Sequence, residues 1–498
     1  MSHGSPIDGP EIGVTAPGTR VGTSRRVLTN TLLLAAGDLV SKLGLLVLYA
    51  VIARSLGKET FGDYTLVVSL AYFVRAATLG VDLILSREAA RDPERVHGLF
   101  WEATVFKLGA GCAVLGGVVA FTAGRGYSGT VVWAVALIGA SNLVDLVGLS
   151  AHAVLRGREL MGPPAKALAL ETTIVAAAGT ILLVVFGAGL VALGVVYLVA
   201  SFVALLYIGV AAARRGIRPR LRGSTRGVGW LARVAIPTAV ASFLGAGLAR
   251  LDAVILSAMT GDAGVVGLYG GAYRIFEATF FLNWALGAAV YPLLSRTRRQ
   301  TRSLGSVFEL SCAAICGLTF PFAGAMLFFG PLILTTLLGS SFAGGGEATR
   351  ILAGATATYG LFTVAALTIV GQNRERVFAW VGGIALAVNV TLDVTLIPSF
   401  SLNGAAVAMT VAQTLATAIT LWVALRETGR VSVGRALAAP LGGLAGMGAV
   451  ALALGTGGAG LLVSIPAYAV CFLVVERLLY PGDLRLLLGA ARLRPAAT

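Results

Sequence analysis

Ionisable side chains stand inside stretches of this chain that are otherwise almost wholly apolar. The cations are Lys42, Arg75, Arg250 and Arg274; the carboxylates are Asp38, Asp82, Asp252 and Glu277. A charge near the centre of a bilayer costs about 2.5–3.5 kcal/mol on the most lenient scale, so residues that persist there face a cavity or a partner. Asp38 and Lys42 are i, i+4 neighbours on one helix face, either a self-neutralising pair or part of a polar cavity. Arg75 lies near the middle of its segment, where snorkelling is hardest, with Asp82 seven residues on. Arg274 and Glu277 are i, i+3; Arg250 and Asp252 are two apart and so point to different faces. A guanidinium keeps its charge in low dielectric and grips phosphate through two parallel hydrogen bonds. Arg75, Arg274, Arg250 and Lys42 are therefore candidates for clamping an anionic headgroup. The competing reading is that Asp82 and Glu277 neutralise the arginines for assembly alone. Asp38, Asp82, Asp252 and Glu277 are candidate ion-coupling or cavity acids. Asp145 and Asp393 are lone acids, read first as polar contacts between helices. Glu102, Lys107 and Glu171 read as lying near helix ends, within snorkelling reach, and His152 as a packing or interfacial residue.

The elements that must position these groups are long apolar helices. Of the 498 residues 57% are hydrophobic and only 12% charged, about half the charged share of a soluble domain. Fourteen spans are expected, at 28–53, 61–85, 99–121, 130–155, 166–186, 190–212, 231–259, 264–294, 306–338, 347–371, 377–398, 403–425, 435–456 and 459–479. Arginines crowd every second connection: Arg87 and Arg91, then Arg156 and Arg158, then Arg214 to Arg226, then Arg296 to Arg302, then Arg374 and Arg376, then Arg426 to Arg435. The other connections hold little beyond Lys58 and Arg125. That split predicts a multi-pass protein of the cell (inner, cytoplasmic) membrane with both termini cytoplasmic. The fold class is all-α, a polytopic bundle of 14 transmembrane helices in two pseudo-symmetric six-helix lobes plus a C-terminal helix pair. Its parts are a disordered tail at 1–23, an N-lobe at 24–213, a basic linker at 214–230, a C-lobe at 231–426, spans thirteen and fourteen at 427–480, and a tail at 481–498.

An internal repeat marks the two lobes. Span two opens Phe61-Gly62-Asp63-Tyr64 and ends at Ser86-Arg87; span eight opens Val266-Gly267-Leu268-Tyr269 and ends at Ser295-Arg296. Tyrosine to arginine is 23 residues in one copy and 27 in the other, a difference of about one helical turn. Both copies enter the membrane from the same side, so the halves relate by an axis along the membrane normal. Arg75 and Arg274 then sit in matched helices and converge on the space between the lobes. On span thirteen, Gly442 and Gly446 form a GxxxG that suits close helix contact.

Several function classes are excluded. The net charge of +15 would suggest nucleic acid in a soluble protein, but here the arginines set topology, and no nucleic-acid partner is expected. There is no phosphate-binding Gly-x-x-x-x-Gly-Lys-Ser/Thr loop, no nucleophilic triad and no Cys/His cluster at metal-ligand spacing. The external loops are too short for a sugar-transferring site, so no enzyme is expected, and no cofactor. Cys312 and Cys316, four apart in an apolar run, suit helix packing and not a disulfide framework. The charges are spread over many helices and not ringed about one pore, which argues against a channel.

These residues resemble a family. Leu56-Gly57-Lys58-Glu59-Thr60-Phe61-Gly62-Asp63-Tyr64 with Ser86-Arg87-Glu88-Ala89-Ala90-Arg91 looks like the opening of polysaccharide-biosynthesis (O-antigen-type) flippases of the multidrug/oligosaccharidyl-lipid/polysaccharide exporter superfamily. Arg250-Leu251-Asp252, Ala272-Tyr273-Arg274, Tyr291-Pro292-Leu293-Leu294-Ser295-Arg296, Leu338-Gly339-Ser340-Ser341-Phe342 and Arg350-Ile351-Leu352-Ala353 look like its second half. The resemblance runs from about 25 to 480. It implies an alternating-access transporter that moves a polyprenyl-diphosphate-linked oligosaccharide to the outer leaflet, with cavity cations matched at Lys42, Arg75, Arg250 and Arg274. Membrane lipid, a polysaccharide polymerase and glycosyltransferases would be partners, and coupling to protons or sodium stays open. The alternatives are a small-molecule/cation antiporter of the multidrug-extrusion type and a peptidoglycan-precursor flippase.

Overall fold

A computed structural model describes residues 18–76, 78–92, 96–217, 225–281, 302–372, 374, 377–429 and 431–479, with single positions between 283 and 297. The side chains of Asp38 and Lys42, residues 218–224 of the basic linker and the tail at 481–498 lie outside the described residues. Helices run α1 (Gly18–Ala76), α2 (Leu79–Arg91), α3 (Val96–Gly124), α4 (Gly129–Gly157), α5 (Gly162–Val184), α6 (Leu190–Ala213), α7 (Thr225–Thr260), α8 (Ala263–Ala278), α9 (Arg302–Leu338), α10 (Gly346–Gly371), α11 (Val377–Phe400), α12 (Leu402–Thr428), α13 (Val433–Leu454) and α14 (Gly458–Leu479), with a short 3₁₀ turn at Ser340–Gly345. Among the described residues there is no strand.

Eleven of these helices are long and apolar enough to cross a membrane, and the bent pair Gly44–Ala76 with Gly80–Arg91 makes a twelfth. The two expected spans outside that count are the first, which is the leading arm of α1, and the eighth, continuous only to Ala278. α1 holds spans one and two. Its 59 residues break at Gly57, with φ 79° and ψ 177°, a conformation glycine adopts without the strain of a Cβ. The rings of Tyr49 and Tyr64 stand 6.0 Å apart, where an unbroken helix would separate them by about 22 Å. The two arms therefore fold back on one another. Two boundaries differ from expectation. α1 begins at Gly18, inside the segment expected to be a disordered tail at 1–23, since no proline interrupts the chain between Pro17 and Pro93. α7 begins at Thr225, inside the expected linker at 214–230, because helix continues past the apolar run that set the expected start.

α1 to α6 pack among themselves, as do α7 to α12, and α13 and α14 pair and lean on α9. The GxxxG of α13 seats that pair: a Cβ at Gly442 would lie 2.6 Å from Val475, and one at Gly446 2.5 Å from the Cys471 sulfur, both on α14. Cys312 and Cys316 of α9 are buried in the same cluster as Met447 and Tyr468.

The lobes meet most closely at the end holding Gly57 and Gly261, which the charge split assigns to the outside. A Cβ at Gly62 would lie 1.7 Å from the Ala263 carbonyl oxygen, and one at Gly267 would lie 1.9 Å from the Lys58 carbonyl oxygen. The two glycines of the repeat thus bring the α1 and α8 backbones into direct contact, as small residues do between membrane helices. Phe61 packs edge-on against Phe342 at 5.4 Å between centroids. Arg54 donates to the carbonyl of Leu337 at 3.1 Å and to that of Thr336. At the other end Val81 and Leu85 of α2 share a cluster with Leu231 and Ala235 of α7. Replacing Gly62 or Gly267 by valine is expected to hold the first end apart while each lobe stays folded. With the four native cysteines removed and Tyr72→Cys as a reporter in the cavity, an impermeant maleimide added outside should label the valine variants several-fold faster. Equal labelling would show that the glycine contact does not close that end.

Candidate functional site

The three arginines come together because helix breaks place them. α1 ends one residue after Arg75, and the Thr78 hydroxyl caps the Arg75 carbonyl at 3.1 Å. α8 ends at Ala278, just past Arg274 and Glu277. Arg250 lies mid-way along the membrane-crossing part of α7, Ala239–Thr260. Side chains from both lobes enclose a cavity of about 470 Å³ that includes Arg75, Arg250, Arg274 and Glu277, with Tyr49, Tyr72, Asp145, Glu171 and Tyr197. Its cavity-facing residues on the returning arm of α1 begin at Val68, six residues or about 9 Å past the Gly62 contact that closes one end.

Glu277 organises the C-lobe wall. Its two carboxylate oxygens accept separately, Oε1 from Arg250 and Oε2 from Arg274, each at 2.5 Å. Both guanidinium groups then rest on tyrosines of the opposite lobe: Arg274 lies 4.5 Å from the Tyr49 ring centroid and Arg250 5.1 Å from that of Tyr72. Such contacts hold a cation by the ring quadrupole. Three guanidinium nitrogens remain buried without an acceptor among the described residues: Arg250 Nε, Arg274 Nε and Arg274 Nη2. Buried donors without acceptors are uncommon in folded proteins, and an anion entering the cavity would satisfy them. Arg75, on the N-lobe wall, is about a third exposed and stands 3.8 Å from Asp145, too far for a hydrogen bond.

Other placements correct the sequence reading. Asp82 does not neutralise Arg75 and does not line the cavity. The chain bends by 41° between α1 and α2, which turns Asp82 toward α3, where Lys107 Nζ donates to it at 2.7 Å and to Ser150 at 3.2 Å. Lys107 does not snorkel; it is fully buried, because α3 starts at Val96 and puts it eleven residues deep. Glu171 likewise lies nine residues into α5 and faces the cavity. Asp252 points away from Arg250, as two-residue spacing requires. It accepts from the Tyr269 hydroxyl at 2.5 Å. Asp252 Oδ1, both oxygens of Asp393 and both polar atoms of Asn389 are buried without a partner among the described residues, so Asp393 belongs to a polar cluster inside the C-lobe. His152 lines a side pocket with Arg75 and Asp145. The tyrosines under the arginines were not singled out from the sequence. No local signal marked them: Tyr49 and Tyr72 lie on α1, whereas the arginines they meet lie on α8 and α7. Because Glu277 holds two buried cations, Glu277→Ala should destabilise the protein by about 3–5 kcal/mol. Arg75→Ala, which breaks only a 3.8 Å approach, should have little effect. Thermal melting in detergent checks the difference; equal melting temperatures would contradict the bridge.

Residues 27–298, more than half of the chain, match the family of polysaccharide biosynthesis proteins. A curated relative, the probable low-salt glycan biosynthesis flippase Agl15 of Haloferax volcanii, is 27% identical over 145 residues, 29% of this chain and 31% of that protein. The matched stretch thus spans under a third of that relative. Among solved structures, the lipid II flippase MurJ in an inward closed conformation superposes with a TM-score of 0.74 at 12% identity, over 91% of this chain and all of that one. An inward-facing multidrug resistance MATE family transporter of the MOP superfamily superposes with a TM-score of 0.64 at 15% identity, over 77% of this chain and 93% of that one. At these identities the likeness concerns the fold. The family match runs through the α1–α8 contact and all three cavity arginines, and by it this chain belongs to the polysaccharide biosynthesis protein family.

Proposed function

We propose that the protein is a flippase, not an enzyme, and that it carries a polyprenyl-diphosphate-linked oligosaccharide from the cytoplasmic to the outer leaflet for cell-surface polysaccharide assembly. The observation that carries the reading is the cavity of about 470 Å³ between the lobes, into which both lobes bring guanidinium groups, two of them with buried donors that lack acceptors. A diphosphate with sugars attached cannot cross hydrocarbon alone. Fixed cations in a polar space lower that barrier, and rocking of the lobes changes the side to which the space opens. On this reading the protein sits in the cytoplasmic membrane with both termini inside, as the arginine-rich connections favour. It works beside glycosyltransferases and a polymerase. The relative's printed description as a glycan biosynthesis flippase supports the substrate class.

Ion coupling, on the same reading, belongs to Asp252 and its neighbours. Glu277 is occupied by two arginines and Asp82 by Lys107, whereas Asp252 Oδ1, the Asn389 oxygen and both oxygens of Asp393 accept no hydrogen bond among the described residues. Oxygen ligands of this kind suit a proton or a hard cation such as sodium.

In vesicles containing a fluorescent lipid-linked oligosaccharide, Arg274→Ala and Arg250→Ala should insert normally. Each should flip about 10- to 100-fold more slowly, the loss of a charge-assisted hydrogen bond, and Arg75→Ala should also block surface-glycan export in cells. Wild-type rates in all three would refute the clamp. Asp393→Asn should remove any dependence of the rate on sodium or pH; a retained dependence would move coupling elsewhere.

A further inference from the structure

A smaller chamber of about 200 Å³ opens off the central cavity inside the N-lobe, and Arg75, Asp145, Leu168 and Glu171 wall both spaces. α4 turns one stripe into it, Asp145, Gly148, His152 and Arg156, spaced at i, i+3, i+7 and i+11. α6 adds Ser201, which lies within reach of the Asp145 carboxylate.

The two walls of the central cavity carry opposite charge balances. On the C-lobe side two guanidinium groups share the single carboxylate of Glu277. On the N-lobe side Arg75 faces two carboxylates, Asp145 and Glu171, where the chamber meets the central cavity, and the chamber's second guanidinium, Arg156, stands eleven residues along α4 from Asp145. Arg75 does not hydrogen-bond Asp145, and Glu171 accepts no hydrogen bond among the described residues. Carboxylates at mid-membrane depth are costly when donors are few, and Ser201 beside Asp145 is the one hydroxyl donor to this pair among the described residues. A diphosphate cannot relieve them, since it offers only acceptors and more negative charge. The hydroxyl and amide groups of a sugar can, because a carboxylate has about four lone-pair sites for such donors.

We propose that this chamber binds the sugar ring attached to the diphosphate, so that the C-lobe wall reads the phosphates and the N-lobe wall reads the glycan. The proposal rests on the flippase reading. Asp145 and Glu171 accept from the ring's hydroxyls or acetamido group, Ser201 orients Asp145, and Leu168 and Leu205 cover the ring's apolar face. The volume suits one ring, so selectivity falls on the first sugar.

The test uses the purified full-length protein and short polyprenyl diphosphates, either bare or carrying one hexose or one N-acetylhexosamine, titrated by native mass spectrometry. The wild type is expected to bind one glycosylated probe about tenfold or more tightly than the bare diphosphate, the size of a hydrogen bond to a charged acceptor. In Glu171→Gln and Asp145→Asn that preference should fall toward unity, with bare-diphosphate affinity unchanged or raised as Arg75 loses a competing carboxylate. Bare-probe binding also reports that the variants are folded. Arg274→Ala should weaken every probe in parallel. A preference that survives both acid variants overturns the proposal, as does a wild type that prefers neither sugar. So does a result in which the acid variants change only the pH dependence of bare-diphosphate binding, which would make the pair a proton site. Failure of every probe to bind the wild type would overturn the flippase reading itself.

Discussion

One carboxylate holding two guanidinium groups is the interaction on which the rest of the site depends. Glu277 takes Arg250 from α7 and Arg274 from its own helix, and all three sit on one lobe. The bridge therefore needs nothing from the other lobe and can persist while the lobes move. What crosses the interface is weaker: the faces of Tyr49 and Tyr72 beneath the two arginines. Cation–π contacts of about 0.5–2 kcal/mol can break and reform, whereas loss of a buried ion-pair member costs several times more. The arrangement separates what must stay fixed, the orientation of the cations, from what must change, the surface against which they rest.

The Gly-x-Tyr repeat acquires a physical meaning from the same geometry. In each lobe the glycine faces across the interface and the tyrosine two residues later faces back into its own bundle. Tyr64 bonds the Tyr197 hydroxyl at 2.8 Å, and Tyr269 bonds Asp252. Gly62 and Gly267 let the α1 and α8 backbones touch, so the lobes close on main-chain atoms whose position no rotamer can alter. Beside this main-chain contact, the Phe61–Phe342 pair and the Arg54 hydrogen bond to Leu337 must part when that end opens.

How much of this was legible depended on whether the signal was local. The spans were, because hydropathy is summed along one stretch of chain, and all eleven regular spans lie where the apolar runs put them. Arg75, Arg250 and Arg274 were conspicuous because a charge within an apolar run is rare. Lys107 and Glu171 were misread for a small reason with a large effect: α3 and α5 begin three or four residues before the expected starts. At about 1.5 Å per residue that shift, added to their place along the helix, moves a residue from snorkelling reach to mid-membrane.

Unaided, the order of residues determined the class of the molecule, the run of its apolar spans and the presence of Arg75, Arg250 and Arg274 within apolar stretches. The tertiary structure alone decided the partners. Asp82 went to Lys107, 25 residues away, and not to Arg75, seven away; Glu277 took Arg250 as well as Arg274. Spacing along a helix sets which face a residue shares with its near neighbours. A bend of 41° after Ala76 or the rotation of one helix against another sets what that face meets, and neither is written in the periodicity of a single segment.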